Sequence, residues 1–226
     1  MKPSYKICLL PLLCTTLLTS GCTSVVIDQY RTGAVARDET DTVVVLGRRY
    51  AANYDTEIDL ISCVGDELHD SKHLRVIPEQ QFIDKLYPWF EPRTAPMKVN
   101  ALKNLVQREE VAQVMEEFKI RHIVWIDGKT ETVSSAGSIG CSIGAGGAGC
   151  FGFGTWDNES NYEATIWDYD KYKMLGKISA DATGTSYMPA VLVPIPLIAR
   201  VQTSACKGLA DQLRAFFTPS DQVSQQ

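Results

Sequence analysis

Gly140-Cys141-Ser142-Ile143-Gly144 has the Gly-x-Ser-x-Gly spacing that presents a nucleophilic serine on a sharp turn. Such a serine needs an acid and then a histidine after it in the chain, yet the last histidine, His122, precedes Ser142. Another fold can order a triad differently, but His122 opens the apolar run His122-Ile123-Val124-Trp125-Ile126, which predicts a central strand. Coincidence in a glycine-rich stretch is the better reading. The same stretch contains Gly144-Ala145-Gly146-Gly147-Ala148-Gly149, a literal Gly-x-Gly-x-x-Gly. Pyrophosphate binding needs those glycines between a strand and a helix N-terminus, and Phe151-Gly152-Phe153-Gly154 carries no helical period. His69 and His73 would share one helix face as metal ligands, but the helix is expected to end near Asp70-Ser71. Asp127, Glu131, Asp168 and Asp170 are too scattered for a catalytic carboxylate pair. No catalytic, cofactor-binding or metal-ligating residue is assigned, and the chain reads as non-enzymatic.

Composition narrows the classes further. The chain has 226 residues, 45% of them hydrophobic, enough to fill the core of one domain. Its 22 basic residues against 27 acidic ones give a net charge of −5 and a pI near 5.3. That balance lacks the basic face a nucleic-acid binder needs. No apolar run reaches the roughly 18 residues of a membrane-spanning helix.

The N-terminus carries an address. Lys2 and Lys6 precede an apolar stretch over residues 7–18, broken by Pro11, Thr15 and Thr16, and Thr19-Ser20-Gly21-Cys22 follows. A basic head, a short apolar segment and small residues before a cut describe a signal peptide over residues 1–21. The cysteine directly after Ser-Gly resembles a bacterial lipobox, with one departure: Thr19 stands where Leu is preferred, and Leu18 lies one residue back. The resemblance implies that Cys22 is diacylated and becomes the new N-terminus. Thr23 in place of Asp implies the outer membrane, with the domain in the periplasm. One acyl chain holds marginally at about 0.8 kcal/mol per buried CH2, whereas the three chains usual in such lipoproteins, palmitate among them, hold permanently.

Cleavage leaves Cys63, Cys141, Cys150 and Cys206 besides Cys22. Four thiols in an oxidising compartment imply two bridges, with three possible pairings. Cys141 and Cys150 bracket the glycine-rich segment, so local pairing is expected, which leaves Cys63 and Cys206, each on a predicted helix.

The elements that would position these residues follow from periodicity. Residues 22–40 lack a sustained period and read as a lipidated tether. Thr42-Val43-Val44-Val45-Leu46 is a buried strand, and Asp55 or Thr56 can cap a helix carrying Leu60, Ile61, Val64 and Leu68. A strand at residues 74–77 precedes a helix with Phe82, Ile83 and Leu86, opened by Pro78. Residues 99–118 hold a helical spacing and residues 122–126 a third strand. The period then changes to two: Tyr162, Ala164 and Ile166, then Ile178, Ala180 and Ala182, alternate with polar positions about an Asp168-Tyr169-Asp170-Lys171 turn. Cys206, Leu209, Leu213 and Phe216 mark a closing helix, and residues 218–226 a flexible tail. The expectation is one α/β domain over residues 41–217. It has a mixed sheet packed with helices, meandering antiparallel C-terminal strands and a glycine-rich disulfide loop at 135–155.

That element order resembles the α/β domain of curli-secretion and penicillin-binding-protein-activator lipoproteins. Leu86-Tyr87-Pro88-Trp89-Phe90-Glu91-Pro92 and Gly152-Phe153-Gly154-Thr155-Trp156 are more closely similar to a set of proteobacterial envelope lipoproteins, which implies an address without an activity. Three segments offer partner surfaces. Tyr87, Trp89 and Phe90, set among Pro88, Pro92 and Pro96, would form a stiff aromatic ledge. Phe151, Phe153 and Trp156 belong to the uncharged 135–155 loop. Residues 188–199, apolar but for three prolines, either lie extended on the sheet or line a groove. The expected function is an outer-membrane-anchored lipoprotein that acts without catalysis as a binding or assembly factor, with an envelope protein as partner and its oligomeric state open. The alternatives are a secretion-channel-like oligomer whose 134–162 segment inserts as a hairpin, and a periplasmic hydrolase using Ser142.

Overall fold

A computed structural model describes residues 23–32, 35, 40–47, 56–70, 74–90, 99–144 and 147–218. The expected signal peptide, Cys22, Asp55, His73, Pro92, Pro96 and the tail from residue 219 lie outside them. In chain order the elements are β1 (Thr23–Arg31), β2 (Thr42–Gly47), α1 (Ile58–His69), β3 (Arg75–Ile77), α2 (Glu79–Lys85), α3 (Val99–Val106) and α4 (Glu109–Glu117). Then come β4 (Ile120–Gly144), β5 (Gly147–Asp168), β6 (Lys173–Pro194) and α5 (Val201–Phe217). The six strands form one sheet in the order β1-β6-β5-β4-β2-β3. β2 pairs in parallel with both β3 and β4, Val43 facing Val76 and Val44 facing Ile123. From β4 to β6 partners run in opposite senses: Thr130 meets Ser160 and Cys141 meets Cys150 across β4 and β5, and Asp157 meets Thr185 and Glu163 meets Lys177 across β5 and β6. The sheet is mixed and the fold α/β, as its alternating periods demand.

Contacts divide the chain into two compact units. One holds Val25–Thr130, Ser160–Ala182 and the chain from Gln202; the other holds Glu131–Glu159, Thr183–Val201 and the N-terminal residues through Ser24. They are called the body and the finger below.

The body contains the core. Val43 to Leu46 of β2 are all buried, because a parallel strand covered on both faces has no polar side to show. α1 buries Leu60, Ile61, Val64 and Leu68, and α5 buries Leu209, Leu213 and Phe216, each one stripe of a 3.6-residue period. Cys63 of α1 is bonded to Cys206 of α5 across 143 residues of sequence. At the predicted 168–171 turn, the buried Asp168 accepts from the Lys171 backbone N–H at 2.9 Å and from Arg121 at 3.1 Å. Arg121 also reaches Asp170, so these carboxylates fasten a turn.

Four expectations are corrected. The start of the supposed 22–40 tether is strand β1, fixed to β6 by Ser24 to Thr183 at 2.9 Å and by the Thr32 N–H to the Leu175 carbonyl at 2.8 Å. The single helix over 99–118 is two. Val106 and Val111 are five apart, off the helical spacing, and the chain breaks at Arg108, whose φ of −70° and ψ of 135° are extended. Thr56 does not cap α1; Glu57 occupies that position, and the Thr56 hydroxyl donates to the Ile126 carbonyl at 3.2 Å. The 135–155 loop is mostly strand, belonging to β4 and β5.

Candidate interaction surface

Within the finger, β4, β5 and β6 continue with small residues where a core strand would carry large ones. Gly137 and Gly152 have φ of 93° and 146°, backbone states that L side chains avoid. A Cβ on Gly137 would collide with the Phe153 carbonyl oxygen, and one on Gly152 with that of Ser138. The glycines let β4 and β5 approach and twist where bulkier residues would part them. Cys141 and Cys150 bridge the two strands, as expected from their spacing.

Side-chain hydrogen bonds tie the finger together. Asp157 on β5 accepts from Ser134 on β4 and from Thr185 on β6, the latter at 2.6 Å. Those two hydroxyls hold its carboxyl below the usual carboxylate range, so the charge is kept at neutral pH. Beside it Thr132 donates to Asn158 at 2.9 Å, and the buried Ser186 accepts from the Ala199 N–H at 3.0 Å.

What the finger leaves uncovered is apolar. Ile143 is 89% exposed, Phe151 60% and Phe153 50%, with Val191, Leu192, Val193, Ile195 and Ile198 exposed as well. Phe153 and Tyr187 lie with ring centroids 6.2 Å apart, and Trp156 is half-buried. No charged residue occurs from residue 132 to 156, nor from 182 to 199. Large apolar exposure without a charge among it marks an interaction surface.

The first candidate ledge is different. Tyr87 is 70% exposed, but Phe90 is only 3% exposed and meets Phe82 edge-on at 4.9 Å. Trp89 packs against the same core and carries the Arg108 guanidinium 4.2 Å above its ring. Phe90 and Trp89 close the body's core, so the ledge reduces to Tyr87. The proline spacing suggested stiffness, but it does not reveal which way the rings turn.

Among the described residues none of the chemical motifs assembles. Ser142 is exposed in the finger, whereas His122 is buried in the body against Phe217 at 5.2 Å; they stand towards opposite ends of β4. Gly144 ends β4 and Gly147 opens β5, so the described glycines of the glycine-rich motif lie on strands. His69 is exposed at the end of α1, and no group of three or more metal-binding side chains exists among the described residues. In the body, a mostly apolar cleft of about 290 Å³ lies between α1, β3 and α2, where Glu79 accepts from the Gly47 N–H at 2.8 Å.

One polar cluster escaped the sequence reading. Tyr162, predicted only as a core position, donates its hydroxyl to Glu57 at 2.8 Å and meets Thr130 at 2.7 Å. Thr130 in turn meets Ser160 at 2.6 Å, and its N–H donates to Glu57 at 2.8 Å. Burial pushes the Tyr162 phenol well above its ordinary range and the Glu57 carboxylate adds to this, against the Thr130 hydroxyl. The cluster clasps β4 and β5 to α1. Tyr162→Phe should cost about 1–3 kcal/mol in urea unfolding, because Glu57 loses one of its two donors and keeps only the Thr130 N–H. Above pH ~10 the unfolded phenol ionises and the folded one does not, so stability falls as pH rises. The variant should lose that part of the alkaline slope.

No protein-family model matches the sequence, and neither does any curated protein sequence. Among solved structures the chain is similar to the PelC dodecamer from Paraburkholderia phytofirmans, at 12% identity and a TM-score of 0.38, over 87% of this chain and 100% of that one. A single-residue variant of that dodecamer gives the same figures, 12% and 0.38.

Proposed function

We propose that the protein is a lipid-anchored factor of the outer membrane that works by binding, without catalysis, and that the finger carries its binding surface. The observation behind this reading is the exposure of large apolar side chains on two stretches of the finger, 132–156 and 182–199, that carry no charge. A catalytic site needs converging titratable groups in a cleft, and the finger instead presents strands stapled by Cys141–Cys150. Two bridges in one chain suit an oxidising compartment, in keeping with the export signal. The partner is an envelope protein.

Two experiments test this. Cys22→Ala should abolish palmitate labelling and leave an unprocessed or soluble form; undiminished labelling would sink the anchor. Crosslinking in intact cells should capture one partner through probes at residues 143 and 153 and not through a probe at Tyr87. Heat-resistant rings of this chain alone would favour the secretion-channel alternative, and labelling of Ser142 by an active-site serine reagent the hydrolase.

A further inference from the structure

β6 does not end in a polar turn. The Ile195 N–H donates to the Pro189 carbonyl at 3.0 Å, and Tyr187 and Leu197 exchange backbone bonds at 2.9 and 2.7 Å. The chain therefore doubles back as a second hairpin with Ala190-Val191-Leu192-Val193-Pro194 at its tip. Positive φ in a turn ordinarily falls to Gly, Asn or Asp, yet here Leu192 takes a φ of 77°. Val191, Leu192 and Val193 are 74%, 62% and 65% exposed, so this unfavourable backbone state brings little burial within the chain. Strain that earns no packing points to a role outside the fold.

The tip's surroundings say what it meets. A Cβ on Gly149 would lie 3.6 Å from both Leu192 and Phe151, so the β5 aromatics and the hairpin tip share one apolar end of the finger. Here the chain carries no charge between Asp181 and Arg200, and the carboxylate bonded to the hairpin, Asp157 at Thr185, meets it five residues before the tip. Pro189, Pro194 and Pro196 remove three backbone N–H donors beside the tip, which lowers the cost of leaving water. Finally, β1 begins at the residue after Cys22, and Ser24 is bonded to Thr183 of β6. An acyl group on Cys22 would therefore tether the chain within two residues of its bond to β6.

We infer that the tip at residues 190–194 enters the lipid surface as a second contact besides the acyl anchor. The orientation rests on the lipid-anchor reading; the contact itself does not. It is tested with the mature chain from Cys22 onward, made without its signal and therefore unacylated, in flotation with vesicles of phosphatidylethanolamine and phosphatidylglycerol. The chain should float. Leu192→Asp should weaken partitioning by about tenfold or more, the worth of one buried leucine. Leu192→Gly relieves the turn, so it should melt no lower than the parent and still lose vesicle binding. A parent that stays in solution, or an Asp variant that floats equally well, would overturn the proposal. So would a tip whose variants lose a protein crosslink in cells while the parent ignores vesicles. Lost palmitate evidence with flotation intact would instead overturn the anchor and leave the tip standing.

Discussion

Replacing Cys63 and Cys206 together by alanine should lower the melting temperature by on the order of 10 °C under oxidising conditions. The bond joins residues 143 apart, and restraining so long a loop in the unfolded chain is worth about 5 kcal/mol in the chain-entropy model. Measured losses for native bridges run at about 2–5 kcal/mol, and each is worth about 2–4 °C in a chain of this size. Native packing adds to the effect, since Cys206 is fully buried between Ala205 and Leu209 on the core stripe of α5. Cys141 and Cys150 are only 9 apart, a restraint of about 2.7 kcal/mol in the same model. They stand on exposed strands, so their removal should leave the body's melting unchanged. Calorimetry of both double variants, with and without reductant, separates the two bonds. Equal melting of parent and Cys63/Cys206 variant would mean that the bond does not form in the native protein.

The parts of this architecture that were legible in sequence are those whose burial imposes a period. β2 announces itself as four consecutive buried aliphatics, and α1 and α5 as stripes that no other element explains. The Cys141–Cys150 pairing is legible in its short spacing, and Cys63–Cys206 follows from it by elimination. β1 was hidden because its side chains are mostly exposed, leaving no alternation to read in Val25-Val26-Ile27. The finger was hidden for a related reason. Most of its side chains are exposed, small residues and glycines replace the usual pattern, and composition alone spells a loop. Phe90 shows the converse limit: its neighbours Pro88 and Tyr87 suit a surface turn, and only tertiary packing against Phe82 turns its ring inward.

That contrast between aromatic clusters supplies the second large effect. Ile143→Ser, Phe151→Ser and Phe153→Ser combined should leave the melting temperature nearly unchanged, because each side chain is at least half exposed in the folded chain. Partner crosslinking should fall at least tenfold, since the variant removes three large side chains from the exposed apolar area. Phe90→Ser should do the opposite, costing about 3–5 kcal/mol, as for a large aromatic removed from a core. Its crosslinking should persist at temperatures where the chain stays folded. The comparison guards against a trivial result, because a variant that merely unfolds loses binding along with stability. If the triple variant melts as early as Phe90→Ser, the finger's apolar groups are packing material and its surface is not the working one. If it melts like the parent and still captures the partner, Tyr87, 70% exposed on the body, becomes the residue to test. Only loss of capture at constant stability assigns binding to the finger, and that outcome follows from strands that keep large apolar side chains without a core to receive them.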